Sequence, residues 1–184
     1  MKHDADVRKL VLAELNEKYA NRNDTKIVNE LGIANGNSRI DIAVINGILH
    51  GYELKSESDS LGRLVRQANY YDKIFERMTL VIDRKFLTQS KEIVPKWWGI
   101  SVVNADYSKT IPIRKGRKVK TKNYPTLLNL LWKQELTGLL DYLEYPKKFK
   151  RLGKDDIYKL ILQDKRKDTV KEYIYSALKK RTYS

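Results

Sequence analysis

Residues 39–71 read RIDIAVINGILHGYELKSESDSLGRLVRQANYY. A short strand, Ile40 to Ile45, meets Asn46-Gly47, a strong tight-turn signal, and a second strand, Ile48 to Ser56, returns beside it. Asp41 lies on the first strand, while Glu53 and Lys55 stand two apart on the second and therefore share a face. Register decides whether they meet. A strict two-residue loop pairs Ile45 with Ile48 and Asp41 with Tyr52, which sends Asp41 and Glu53 to opposite faces. A three-residue loop, Ile45-Asn46-Gly47, with Gly47 left-handed as a bulge, pairs Val44 with Ile48 and Asp41 with Gly51. Asp41, Gly51, Glu53 and Lys55 then line one face, and Ile40, Ile42, Val44, Tyr52 and Leu54 line the other, ready for a packed helix. The bulged register is expected because it alone serves both faces.

Chemistry gives the charged face a purpose. Two carboxylates on neighbouring strands offer hard oxygen ligands to a divalent cation such as Mg²⁺, with Mn²⁺ as a substitute. Such an ion polarises a phosphoryl oxygen and acidifies a bound water. Lys55 beside it orients or deprotonates that water and offsets charge growing in the transition state. Phosphodiester hydrolysis uses all three groups. The competing reading is a solvated hairpin with a surface ion pair, because an Asp followed at a distance by Glu-x-Lys is a weak pattern by itself. Asp72 with Asp83-Arg84-Lys85 repeats that pattern, but Asp72 falls in a helical stretch and no hairpin turn separates it from Asp83.

Asp41 followed by Glu53-Leu54-Lys55 on a returning strand resembles the PD-(D/E)xK nuclease superfamily, with its restriction-endonuclease-like fold. Asn-Glu-Leu at 29–31, Arg-Ile-Asp-Ile-Ala-Val at 39–44, Gly-Tyr-Glu-Leu-Lys-Ser at 51–56, and Asp59 with Arg63-Leu64 and Gln67 are similar to a group of bacterial and phage proteins within it. The resemblance is close over residues 25–105 and looser over Leu-Leu-Trp-Lys-Gln-Glu-Leu at 130–136. It implies Glu30, Asp41 and Glu53 as metal ligands and Lys55 as the catalytic lysine. Gln67 and Tyr71 match the Gln-x-x-x-Tyr signature of the RecB-like branch, where these residues follow the catalytic strands on a helix and help position the lysine or the nucleic acid. Many members also carry a carboxylate on the first helix. Glu14 is the candidate here, but a solvated position is preferred for it because Glu30 stands next to the hairpin. The implied activity is that of a Mg²⁺-dependent deoxyribonuclease. The alternative is an inactive nuclease-fold protein that binds nucleic acid or serves as an adaptor.

Working outward, the spacing of Val7, Leu10, Val11, Leu15 and Tyr19 predicts a helix over residues 4–20. A short strand, Lys26 to Asn29, ends at Glu30, and Asn35-Gly36-Asn37-Ser38 turns the chain into Arg39. After the hairpin, Asp59 or Ser58 is expected to cap a helix running to Glu76, with Leu61, Leu64, Val65, Ala68 and Phe75 buried. Arg63, Gln67 and Tyr71 recur every four residues on it and form a second stripe. Met78 to Asp83 and Gly99 to Ala105 are apolar, β-branched strands separated by a helix, which implies a parallel crossover joined to the antiparallel hairpin. Trp97-Trp98 is expected to pack under the sheet edge. His3 and His50 are too isolated to act as ligands, and His50 belongs on the hairpin's non-catalytic face. The fold class is therefore α/β: a mixed sheet flanked by helices, with a basic helical extension at the C-terminus.

Charge divides the chain. The net charge is +14, with 16 Lys and Arg against 15 Asp and Glu over residues 1–106, but 21 against 8 over residues 107–184. That asymmetry suits a nuclease core, 1–106, followed by an extension, 107–184, packed on it and gripping a polyanion. A lysine-rich solubilising surface is the plainer reading. Arg114, Lys115, Arg117, Lys118 and Lys120 fall in a basic loop of little apolar content. With Arg39 and Arg63 they are the candidate contacts to the phosphates of DNA, RNA remaining open. Pro125 to Tyr145 reads as one helix with Leu127, Leu128, Leu131, Trp132, Leu136, Leu139, Leu140 and Leu143 buried, and two further helices span Lys154 to Gln163 and Thr169 to Arg181. The absence of cysteine excludes disulfides and cysteine-held zinc or iron–sulfur clusters. Without a long apolar run or a signal-peptide pattern the expectation is a soluble, cytoplasmic protein with no membrane partner. A homodimer is required if one compact site is to cut both strands together.

Overall fold

The structure is a computed structural model that describes residues 4–33, 36–120 and 123–183; His3, Asn35 and Lys122 lie outside the described residues. In chain order the elements are α1 (Asp4–Tyr19), β1 (Lys26–Ile33), β2 (Ser38–Ile45), β3 (Leu49–Lys55), α2 (Leu64–Ile74), β4 (Arg77–Ile82), α3 (Leu87–Ile93), β5 (Gly99–Val103) and β6 (Thr110–Arg114). Four helices follow: α4 (Tyr124–Leu128), α5 (Lys133–Tyr142), α6 (Lys154–Gln163) and α7 (Lys167–Lys180). The six strands form one sheet in sequence order. Tight connections make β1–β2, β2–β3 and β5–β6 antiparallel, whereas β3–β4 and β4–β5 are parallel, bridged by α2 and α3 as a crossover requires. This is the expected α/β class: a mixed sheet flanked by helices with a helical C-terminal region.

The hairpin register differs from the expected one by two residues. Ile45 pairs with Leu49, Val44 with His50, Ala43 with Gly51 and Ile42 with Tyr52, so the three-residue loop is Asn46-Gly47-Ile48. Gly47 supplies the left-handed backbone at φ +85°. Burial selects this pairing: Ile45 and Leu49 are fully buried as partners, while Ile48 stays half-exposed in the loop. A shift of two preserves the faces. The ladder ends at Ile42–Tyr52, one pair short of Asp41 and Glu53, and both carboxylates line one cavity.

Each sheet face has its own core. Val7, Val11 and Leu15 of α1 pack on Ile42, Val44, Tyr52, Leu54, Val81 and Val103, each buried side chain contributing about 1.5–3 kcal/mol. Ile40, expected on that side, joins the other core together with Leu31 and Ile33. The cause is Glu30, which lies within β1 rather than at its end and holds φ +53° opposite Asp41, where the ladder is interrupted. That single left-handed residue turns the ribbon over. The second core takes in α2 and the C-terminal helices, with Leu64, Tyr71, Trp98, Leu127, Leu139, Ile157 and Ile174 all buried.

Several local expectations are corrected by tertiary contacts. Asp59 does not cap α2: its Oδ2 accepts from the Ser56 amide and hydroxyl, both at 2.7 Å, which closes the preceding loop, and Arg63 at the N-cap position makes no side-chain cap. Val65 is exposed, since the buried arc of α2 runs through Leu64, Ala68, Tyr71 and Ile74. The helix expected over Pro125–Tyr145 is split into α4 and α5. The Trp132 amide donates to Glu135 Oε2 at 2.7 Å and starts α5 afresh, leaving the Trp132 ring exposed with the Arg181 guanidinium 4.1 Å from its centroid.

The basic stretch 114–120 is no free loop. Arg114 ends β6 and donates to the carbonyls of Trp98 at 2.7 Å and Pro95 at 3.1 Å. Beyond it, the Arg117 amide donates to Trp97 O at 2.9 Å and the Val119 amide to Glu76 O at 2.8 Å, stitching the segment across the sheet's lower end. Gly116 makes this approach feasible, because a Cβ there would fall 2.8 Å from the Met78 carbonyl oxygen and 3.0 Å from the Gly99 nitrogen. Gly116→Ala is expected to destabilise the fold by about 1–3 kcal/mol, read as a lowered urea midpoint; an unchanged midpoint would show that the strap is loosely attached. The boundary expected at residue 106 falls between β5 and β6, hydrogen-bonded neighbours in one sheet. Among the described residues no helix is long and apolar enough to cross a membrane.

Candidate active site

At the end of the β2–β3 hairpin, alternation along β3 turns Glu53 and Lys55 to the side where α2 packs. The Lys55 Nζ donates to Glu53 Oε1 at 2.7 Å, and both side chains are almost wholly enclosed. From α2, the helical spacing of Gln67 and Tyr71 brings both onto the same carboxylate: Gln67 Nε2 donates to Oε1 at 2.7 Å, and the Tyr71 hydroxyl lies 2.8 Å from Oε2. Asp41, across the hairpin, accepts the Leu54 amide on Oδ2 at 2.8 Å and Arg8 Nη2 on Oδ1 at 2.9 Å. Arg8 also donates to the Asp41 carbonyl at 3.0 Å and to Asp4 at 3.2 Å. A cavity of about 530 Å³ opens over this cluster, with Arg39, Asp59, Arg63 and Arg66 at its wall.

Burial pushes the Glu53 carboxyl up to about 7, with the neighbouring Asp41 charge adding to it and Lys55 opposing it. Burial also raises Asp41 above the ordinary carboxylate value, against the Leu54 amide and Arg8. Tyr71 is driven well above its ordinary range, first by burial and then by Glu53. Hydrogen-bond arithmetic agrees. The Tyr71 hydroxyl has one proton, yet it lies 2.8 Å from both Glu53 Oε2 and the Arg39 carbonyl oxygen. A proton on Glu53, donated to Tyr71, frees the hydroxyl for Arg39.

The pH dependence of stability follows. Between the ordinary glutamate value of 4.5 and about 7, the folded chain holds a proton on Glu53 that the unfolded chain has released. Stability therefore falls as pH rises through that window in metal-free protein. Urea midpoints measured across it are expected to decline for the parent and to flatten for Glu53→Gln; parallel curves for the two proteins would remove Glu53 as the cause.

The oxygen donors suit a hard cation. Asp41 and Glu53 line one cavity, burial raises both carboxyls, and Gln67 Oε1 is buried with no hydrogen-bond partner. Glu30 is arranged differently. Half exposed, it pairs with Arg39 at 2.8 Å and stands 3.8 Å from Arg8. Among the described residues no group of three or more His, Cys, Asp or Glu side chains is arranged to hold a metal. Two carboxylates with waters and substrate oxygens are the set that fits.

Of the candidate phosphate contacts, Arg39 and Arg63 line the site. Arg114 is committed to backbone carbonyls, Lys115 lines a cavity on the α1 side, and Lys118 and Lys120 line a separate cavity with Lys167 and Lys171. Arg117, solvent-exposed in the strap, is not among the side chains lining the site. His50 lies on the face opposite Glu53, stacked on Tyr52. Glu14 is a clamp rather than a solvated side chain, accepting the Thr110 amide and hydroxyl at 2.7 Å each. Trp98 is fully buried against Tyr71 and donates to Asp72 Oδ1 at 2.9 Å, which occupies the aspartate of the second Asp/Asp-x-Lys pattern. Arg8 was not legible in the sequence: an arginine following Val7 on a helix carries no local mark of a partner 33 residues away.

A family model described as bacteriophage P4 protein cII matches residues 1–184. The protein cII of Enterobacteria phage P4 is 29% identical over 178 residues, covering 96% of this chain and 67% of that protein. Among solved structures, the SPO1766 protein of unknown function from Silicibacter pomeroyi aligns with a TM-score of 0.47 at 20% identity, covering 65% of this chain and 75% of its own.

Proposed function

Because the chain belongs to the bacteriophage P4 protein cII family, a name that states no chemistry, we propose its function from the site: a metal-dependent nuclease that hydrolyses DNA phosphodiester bonds. One observation carries this reading. Asp41, Glu53, Lys55 and Gln67 line one open cavity, with Tyr71 buried behind Glu53 and bonded to it, the constellation by which the chain resembles PD-(D/E)xK nucleases. A bound Mg²⁺ or Mn²⁺ would supply Lewis acidity to a phosphoryl oxygen and acidify a water. Asp41 and Glu53 would hold the ion, with Glu53 losing its proton on binding. Lys55 is within reach to orient the attacking water and to offset negative charge on the phosphoryl group. Tyr71 and Gln67 fix the Glu53 carboxylate, and the orphaned Gln67 Oε1 is an acceptor for a water in the site. Arg39, Arg63 and Arg66 line the mouth and suit backbone phosphates, without reading bases.

A second reading has its own support. Arg8 on Asp41 and Lys55 on Glu53 already offset both carboxylates, as in a nuclease fold that binds nucleic acid without cutting it. Cleavage of single-stranded, duplex and branched DNA in Mg²⁺, Mn²⁺ or EDTA, with RNA as competitor, separates the two. Cutting that EDTA abolishes supports the nuclease. Binding without cutting on every substrate supports the inactive form. Equal competition by RNA would withdraw DNA as the specific substrate.

A further inference from the structure

On the α1 side of the sheet, behind the strand that carries Glu53 and Lys55, α1 and strands β3 to β6 line a second, open cavity of about 520 Å³. That volume lies within the range of about 300–1,000 Å³ usual for small organic ligands. His50 and Tyr52 alternate with Gly51 and Glu53 along β3, so this cavity and the candidate active site lie on opposite faces of one strand. Val11, Leu15, Val81 and Ile113 give it an apolar wall.

Its charge is unbalanced. Lys18, Arg77, Arg114 and Lys115 line it against the single carboxylate of Glu14, and both Glu14 oxygens are taken by Thr110. Arg114 is turned to backbone carbonyls. His50 adds no charge, because burial and the nearby Arg77 and Lys18 hold it down at about 3 and its Nε2 is 2.9 Å from the Thr79 hydroxyl. The guanidinium of Arg77 is the telling group. Its Nε–H is buried with no acceptor, and no carboxylate pairs with it among the described residues. Buried donors are almost always matched, and an arginine cannot escape by losing its proton. A guanidinium with an unmatched Nε–H, lining a cavity with two lysines over an apolar wall, is a receptor for anionic oxygens carried on an apolar or aromatic body. A phosphomonoester, with close to two negative charges, answers three cations better than one carboxylate does.

We propose that this cavity binds the phosphomonoester of a nucleotide, free or at a nucleic-acid end, with the phosphate on Arg77, Lys18 and Lys115 and the nucleoside against Val11, Leu15, Val81 and Ile113. The site does not depend on cleavage at Asp41 and Glu53. Titration calorimetry and thermal melts of the full chain with nucleoside monophosphates, inorganic phosphate, and oligonucleotides with and without a 5′-phosphate test it. A nucleoside monophosphate or a 5′-phosphorylated end is expected to bind more tightly than inorganic phosphate and to raise the melting temperature. Whichever of the two binds more tightly identifies the source. Arg77→Met is expected to melt close to the parent without ligand, since the half-buried side chain has an Nε–H without an acceptor to lose, yet to lose affinity by about tenfold or more. Lys115→Gln, at an exposed position, is expected to lose affinity severalfold with an unchanged melt, and keeps the test sound should Arg77→Met fold poorly. No binding of any phosphomonoester, affinity unaltered in both variants, or inorganic phosphate binding as tightly as a nucleotide would overturn the proposal.

Discussion

Replacing Lys55 by alanine is expected to remove the proposed metal-dependent DNA cleavage, with a rate loss of at least about 10²–10³-fold, the cost of deleting one preorganised electrostatic group from an active site. Lys55 Nζ sits 2.7 Å from Glu53 Oε1, with only 7% of its side chain exposed, so no solvent cation takes its place at comparable geometry. Its loss also withdraws the charge that opposes protonation of Glu53, already pushed up to about 7. The carboxylate then keeps its proton more tightly, which disfavours the metal binding proposed for it. The variant should fold, because a neutral Glu53 still has Gln67 and Tyr71 as partners. Single-turnover cleavage under saturating protein, with DNA binding and thermal melts recorded in parallel, is the decisive measurement. Asp41→Asn should lose cleavage as well. A Lys55→Ala protein that cuts at the parent rate would discard the nuclease mechanism.

The largest expected effect on stability lies elsewhere, at Glu76. This carboxylate follows α2, is 2% exposed, and gathers three elements. It accepts the Leu49 amide at the start of β3 at 3.2 Å, Lys171 Nζ at 2.6 Å and the Tyr175 hydroxyl at 2.8 Å, the last two from α7. Glu76→Ala leaves a buried amide and a buried hydroxyl without an acceptor and a lysine without its counter-charge. Breaking such a buried pair from one side costs about 3–5 kcal/mol. Glu76→Gln retains part of the bonding and should fall between. Urea unfolding measures both. A Glu76→Ala protein within experimental error of the parent would mean that α7 is held by its apolar face alone.

The resemblance and local pattern together made much legible. Asn46-Gly47 located the hairpin; Asp41, Glu53 and Lys55 shared a face under either three-residue register; Gln67 and Tyr71 arrived together because helical spacing is independent of context. The α1 stripe and the β-branched runs of β4 and β5 were readable for the same reason. What remained hidden depended on partners distant in sequence. The β6 strand, short and broken by Pro112, looked like loop until β5 lay beside it. Arg114 read as phosphate-seeking loop, yet the carbonyls of Trp98 and Pro95 claim it, and Gly116 sits where a Cβ would strike the Met78 carbonyl. Glu30 turns the ribbon over, Arg8 reaches Asp41, and Glu76 joins α2 to α7, and none of the three carries a local mark. The sequence by itself therefore determined the hairpin, α1, α2, β4, β5 and the placing of Glu53 and Lys55 on one strand face, because side-chain periodicity and turn chemistry act over a few residues. Only the tertiary structure decided the exact pairing, the upward shift of the Glu53 carboxyl and the partners of each buried charge, because these depend on desolvation and on groups brought together from opposite ends of the chain.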